Sequence, residues 1–203
     1  MVDKLLRKPK EYVLAPIALN IARSIHPTVV TVAAFAVGLG AGLALWSGAY
    51  TFGLGLWLLN RTLDGLDGTI ARLHNKQSDF GGYLDIVLDT IIYALIPTAI
   101  VLGAPSTAAW IALVSLLISF YCNAASWMYL AALFEKRQQG ANARGEMTTI
   151  TMPTGLIEGA ETVLFFTLFI LFPVAAVGLF WLMALLVWLT IAQRLIWAAR
   201  VLQ

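Results

Sequence analysis

Residues 63–90, LDGLDGTIARLHNKQSDFGGYLDIVLDT, carry five aspartates, and four of them sit in or beside long apolar runs. On a helix of 3.6 residues per turn, Asp64, Asp67, Gly68 and Ala71 share one face, and Gly81, Asp85 and Asp89 form a stripe spaced by four. An ionised Asp costs about 2.5–3.5 kcal/mol at the centre of a membrane helix, so four cost on the order of 10 kcal/mol. Protonation, salt bridges or bound cations can compensate. Arg61 and Arg72 offset at most two of the charges, which leaves an excess of acid. An all-carboxylate set, with no His or Cys in position to favour zinc, suits the hard cations Mg2+ or Mn2+. Two such ions about 3.5–4 Å apart would neutralise the set and keep coordination sites open for phosphate oxygens. Gly68, Ala71 and Gly81 strip bulk from the acid-bearing faces, and Arg72 can fork onto a diphosphate. A purely structural acid network is the bland alternative; two clean spacings with glycines between them argue against it.

The elements that must position these acids are membrane helices. Of 203 residues, 60% are hydrophobic and 12% charged, about half the charge of a soluble domain. Six apolar runs, roughly 28–47, 50–72, 80–103, 106–134, 156–172 and 178–200, are each able to cross a hydrocarbon core. The expected fold is an all-α integral membrane protein, a single domain over 1–203. An interfacial amphipathic segment at 1–26 precedes a bundle of six transmembrane helices at 27–203. That first segment mixes Lys4, Arg7, Lys8, Lys10, Glu11 and Arg23 with Leu5, Leu6, Tyr12, Val13, Leu14 and Ile17, the composition of a helix lying along anionic headgroups. It lacks the compact apolar core and cleavage site of a removed signal peptide.

With the N-terminus in the cytosol, all 13 Lys and Arg fall at cytosolic ends and loops, and the three opposite loops are uncharged. Both termini and the acids are therefore expected on the cytosolic side. The hairpin LHNKQS then brings Asp67 and Asp85 to about 8 and 9 Å from their helix ends, with Asp64 and Asp89 roughly 12 and 15 Å in. The four carboxylates are expected to converge. Gly38 and Gly42 have GxxxG spacing, read as internal packing rather than dimerisation. Cys122 reads as a packed side chain, the seven tryptophans as packing or interfacial residues, and His26 and His74 as interfacial.

The string D-G-L-D-G-T-I-A-R, eight residues, then G-G-Y-L-D-I-V-L-D resembles the signature of the CDP-alcohol phosphatidyltransferase family, D-x-x-D-G-x-x-A-R, eight or nine residues, G-x-x-x-D-x-x-x-D. All eight fixed positions match, over 26 residues; residues 104–203 share only the layout. The resemblance implies that Asp64, Asp67 and Asp85 are metal ligands for two Mg2+ or Mn2+ ions. Asp89 would be the base for the acceptor alcohol and an additional candidate ligand. It implies that Gly68, Ala71, Arg72 and Gly81 line the cytidine and diphosphate site. HPTVVT resembles the family's segment before the first span, usually Pro-Asn followed by Thr. Here Thr28 follows Pro27, which puts the Asn contact in doubt and leaves Thr31 as a nucleotide-site candidate, or else an N-cap or packing residue. The implied partners are CDP-diacylglycerol or a related CDP-alcohol, a small polar alcohol or phosphorylated polyol, membrane lipids and a second copy in a homodimer, with no nucleic acid. The implied location is a bacterial or archaeal cell membrane.

The acceptor stays open. Arg137, Arg144 and Arg194 would suit a phosphorylated one, whereas Glu158 and Glu161 would suit a neutral or cationic one; loop solvation or ion pairing would also explain each. Two rivals bind metal through aspartates as well. A membrane prenyltransferase splits its acidic motifs across distant helices, and a divalent-metal transporter needs a path through the far side, which here is charge-free.

Overall fold

The structure, a computed structural model, describes residues 25–140 and 155–203. The basic N-terminal segment before residue 25 and Arg144 lie outside the described residues. Within them run six long helices: α1 (Pro27–Trp46), α2 (Tyr50–Leu73), α3 (Asp79–Gly103), α4 (Thr107–Lys136), α5 (Gly159–Leu171) and α6 (Ala176–Val201), with a 3-10 turn at Pro173–Ala175 leading into α6. Four segments are long and apolar enough to cross a membrane: α1, α3, α4, and α6 with its leading turn. The other two differ for physical reasons. Helix α2 carries Arg61, Asp64, Asp67 and Arg72 from its midpoint onward, and α5 is only 13 residues long.

Local chemistry sets the helix starts. Pro27 opens α1 behind His26, whose Nδ1 accepts from the Thr28 N–H at 3.3 Å; proline is at home where the N–H is unsatisfied anyway. Ser78 and Ser106 cap α3 and α4, each hydroxyl accepting from the N–H three residues on. Glu158 and Glu161 form a capping box at α5, where Glu161 Oε2 accepts from Glu158 N–H at 3.2 Å. At the C-terminus of α6, Arg137 donates to the Val201 and Leu202 carbonyls at 3.4 and 2.7 Å. Both glutamates and Arg137 are thus engaged in ending helices. Such bonds matter in a bilayer, where no water replaces a lost partner.

Lipid removes most of the hydrophobic drive between helices, so close packing and polar contacts must hold the bundle. Helix α1 packs on α2 and α3, α4 on α6, and α5 on α2 and α6. A methyl on Gly38 would come within 2.6 Å of Ile92 Cδ1, and one on Gly42 within 2.7 Å of Leu95 Cδ2. The GxxxG spacing therefore serves internal packing of α1 on α3, as expected. At the centre, the fully buried Trp57 stacks on Phe166 (5.3 Å) and Phe169 meets Phe180 edge-on (4.7 Å). The Trp57 indole N–H donates to Thr167 Oγ1 at 3.1 Å, tying α2 to α5.

Gly42→Val would overlap Leu95 Cγ as well as its methyls. It should cost roughly 1–3 kcal/mol, measurable as a lower midpoint in thermal unfolding of the detergent-solubilised protein.

Candidate active site

Helices α2 and α3 are joined by residues 74–78, and α1 packs against both. Their facing surfaces carry the acids. Asp64, Asp85 and Asp89 line one cleft together with Thr31 and Asn60. Asp67, one turn beyond Asp64 and only 5% exposed, points at α1 instead, where Thr31 Oγ1 donates to its Oδ2 at 2.6 Å. Three of the four expected acids thus share the cleft, and the fourth reaches it through Thr31.

Arg61 supplies the positive charge. Its Nη2 donates to Asp89 Oδ1 at 2.7 Å and its Nη1 to Asp89 Oδ2 at 3.2 Å, a two-pronged ion pair between α2 and α3. The same Nη1 lies 3.8 Å from Asp64 Oδ2. Arg61 was expected to offset part of the charge; its grip on Asp89 was not. Two further residues escaped the sequence reading. Asn60 accepts from Arg61 Nε at 2.8 Å and donates to the Ala34 carbonyl of α1 at 2.8 Å. Tyr93 accepts through its hydroxyl from Arg61 Nη1 at 3.0 Å. The available signals were the sole Asn in the apolar run before Arg61, and the four-residue step from Asp89 to Tyr93, which continues the acidic stripe.

The other named positions are not among the residues that line the cleft. Arg72 lies one turn after Gly68, and a methyl on Gly68 would sit 3.2 Å from an Arg72 guanidinium nitrogen and meet no other side chain among the described residues. The guanidinium thus lies over the glycine. Gly81 lies in the first turn of α3, its N–H on Ser78 Oγ at 3.1 Å, and Ala71 is half-buried. Arg194 of α6, not among the residues that line this cleft, is 6% exposed and donates to Asn123 Oδ1 at 2.8 Å and Ser126 Oγ at 2.6 Å, while among the described residues its buried Nε has no hydrogen-bond partner.

Among the described residues, no three His, Cys, Asp or Glu side chains stand in ligating geometry. The cause is visible: Asp67 is turned onto Thr31 and Asp89 onto Arg61. The donor set nonetheless fits a hard divalent cation. Three carboxylates line the same cleft, and among the described residues its other polar lining groups are the Thr31 hydroxyl and the Asn60 amide, with neither sulfur nor imidazole.

A family model described as CDP-alcohol phosphatidyltransferase matches residues 24–202. The chain belongs to that family, and it is an integral membrane enzyme of the transferase class. It is 38% identical over 178 residues to "Inner membrane protein YnjF" of Escherichia coli (strain K12), covering 86% of this chain and 82% of that one. With "Archaetidylinositol phosphate synthase" of Pyrococcus horikoshii it shares 30% identity, over 65% of this chain and 61% of the relative. Among solved structures, phosphatidylinositol phosphate synthase of Mycobacterium tuberculosis with CDP-DAG bound superposes with a TM-score of 0.65 at 22% identity, covering 91% of this chain and 92% of the other. At that identity the likeness is one of fold. Family membership decides against the transporter and the prenyltransferase.

Thr31→Val keeps shape but removes the hydroxyl that donates to buried Asp67. A hydrogen bond to a charged group is worth about 1.5–3 kcal/mol, so the variant should unfold at lower temperature, whereas Thr28→Val, away from Asp67, should not.

Proposed function

We propose that the protein transfers a phosphatidyl group from CDP-diacylglycerol, or a closely related CDP-alcohol, to a small polar alcohol and releases CMP. The observation that carries this reading is the meeting of Asp64, Asp85 and Asp89 in one cleft. Asp64, Asp67 and Asp85, with Asp89 as a further donor, would hold two Mg2+ or Mn2+ ions. The mycobacterial relative has been solved in complex with manganese and citrate, which supports that choice. Bound there, such ions supply neutralising charge for the diphosphate and for the departing CMP.

The chain's own groups do the rest. Arg72 pairs with diphosphate oxygens, and Gly68, Ala71 and Gly81 leave room for the cytidine beside it, with Thr31 at the inner edge. Asp89 takes the proton of the acceptor hydroxyl. The hydroxyl oxygen bonds to the lipid-side phosphorus as the bond from that phosphorus to the CMP phosphate oxygen breaks. The Arg61 fork uses one lone pair on each Asp89 oxygen, and a carboxylate has about four lone-pair sites, so the base keeps acceptor capacity while held.

The acceptor we infer is anionic, a phosphorylated polyol. Glu158, Glu161 and Arg137 are engaged at helix ends, while the buried Arg194 Nε has no partner among the described residues and is the donor we assign to the acceptor's phosphate. The name of the Pyrococcus relative, a synthase of an inositol phosphate lipid, agrees with that class. All six helices cross the membrane in this reading, with α2 sheltering its charges inside the bundle and α5 bridging a thinner span. Both termini face the cytosol of a bacterial or archaeal cell, and the enzyme works as a homodimer.

Purified protein given CDP-diacylglycerol, Mn2+ and a panel of alcohols and polyol phosphates should release CMP and form one lipid product identifiable by mass. Asp89→Asn should lower turnover by at least ~100-fold while CDP-lipid binding persists. Wild-type turnover in that variant would remove Asp89 as the base.

A further inference from the structure

Arg61 is held far more firmly than a countercharge needs to be. All three guanidinium nitrogens donate: Nε to Asn60 Oδ1, Nη1 to Asp89 Oδ2 and the Tyr93 hydroxyl, and Nη2 to Asp89 Oδ1. Its carbon lies 4.9 Å from the Trp57 ring centroid and 5.1 Å from that of Tyr93, within cation–π range of both. Each of these holders is itself fixed. Asn60 is tied to the Ala34 carbonyl on α1, and Trp57 to Thr167 on α5 and the face of Phe166. Tyr93 meets Phe166 edge-on at 5.4 Å. Residues of α2 and α3 therefore hold the guanidinium directly, α1 and α5 fix those holders, and the same group forks onto Asp89 and lies 3.8 Å from Asp64.

Neutralising a carboxylate requires only a nearby charge. Fixing the plane of a carboxylate requires two parallel N–H donors in a rigid frame, which arginine has and lysine lacks. We infer that Arg61 is the positioning residue for Asp89: it sets the orientation of the carboxylate towards the acceptor hydroxyl, and Asn60, Trp57 and Tyr93 hold it in place to do so. This rests on Asp89 acting as the base. Arg61 acts through Asp89, whose two oxygens it holds. Proton transfer is sensitive to angle and distance, and misplacement by about 1 Å can cost ~100-fold in rate.

Arg61→Lys separates orientation from charge. Its kcat should fall about 10- to 100-fold, with KM for CDP-diacylglycerol within about twofold of wild type and Mn2+ binding, followed by electron paramagnetic resonance, preserved. A wild-type kcat in Arg61→Lys would overturn the inference, since charge alone would then suffice. So would an unchanged kcat with a raised KM, which marks a substrate contact. Should the lysine variant not fold, Tyr93→Phe keeps the ion pair and the ring face but removes one anchor of Nη1. It should lower kcat several-fold at unchanged KM, and wild-type kcat there would equally overturn the positioning role. Wild-type protein runs beside both: absence of CMP release from it would sink the proposed reaction, not the role of Arg61 alone.

Discussion

A carboxylate in a hydrocarbon-embedded bundle has to be matched by positive charge or by donors, and this chain sets four of them side by side on α2 and α3. Transfer of each to the helix centre is costly, and mutual repulsion adds to the cost. The structure meets it in three different ways. Asp67 is buried on the Thr31 hydroxyl, Asp89 is gripped by Arg61, and Asp64 lies within reach of the same guanidinium. Arg61 is one cation facing two carboxylates, Asp64 and Asp89, and under the proposed function the surplus of acid on these helices is a place for divalent cations.

The rest of the bundle can be understood as what holds this cleft open and rigid. Gly38 and Gly42 let α1 lie close against Ile92 and Leu95 of α3, while Thr31 and Ala34 of the same helix bond Asp67 and Asn60 of α2. The aromatic group of Trp57, Tyr93, Phe166, Phe169 and Phe180 gives dense contact where lipid offers no hydrophobic drive. It also places two ring faces against Arg61. Packing and electrostatics therefore meet in the same residues, and a change in the aromatic core would be felt at the acids.

Much of the architecture could be read from the sequence because hydropathy acts locally. The apolar runs expected at 28–47, 50–72 and 80–103 became helices over Pro27–Trp46, Tyr50–Leu73 and Asp79–Gly103. The three later runs coincide with helices to within three residues at either end. The acidic faces followed from helical periodicity alone. Pairings between helices did not, because they depend on how each helix is rotated against its neighbours. Nothing in the spacing of Arg61 and Asp89, 28 residues apart, says that they form a fork, nor that Asn123 and Ser126 would meet Arg194. The convergence of all four acids was only partly right for the same reason: Asp67 faces α1, whose rotation periodicity within α2 cannot reveal. Glu158 and Glu161 were weighed as acceptor contacts, yet their three-residue spacing just before an apolar run is the mark of a helix cap.

Whether surplus negative charge is there to bind divalent ions can be measured without any turnover. Titrating Mn2+ into the purified protein and following the free-ion signal by electron paramagnetic resonance should show saturable uptake of about two ions per chain. That uptake should vanish when Asp64 and Asp85 are both changed to Asn, with the protein still folded. Full retention of the free Mn2+ signal in the wild-type protein, with CDP-diacylglycerol present, would contradict the account at its root.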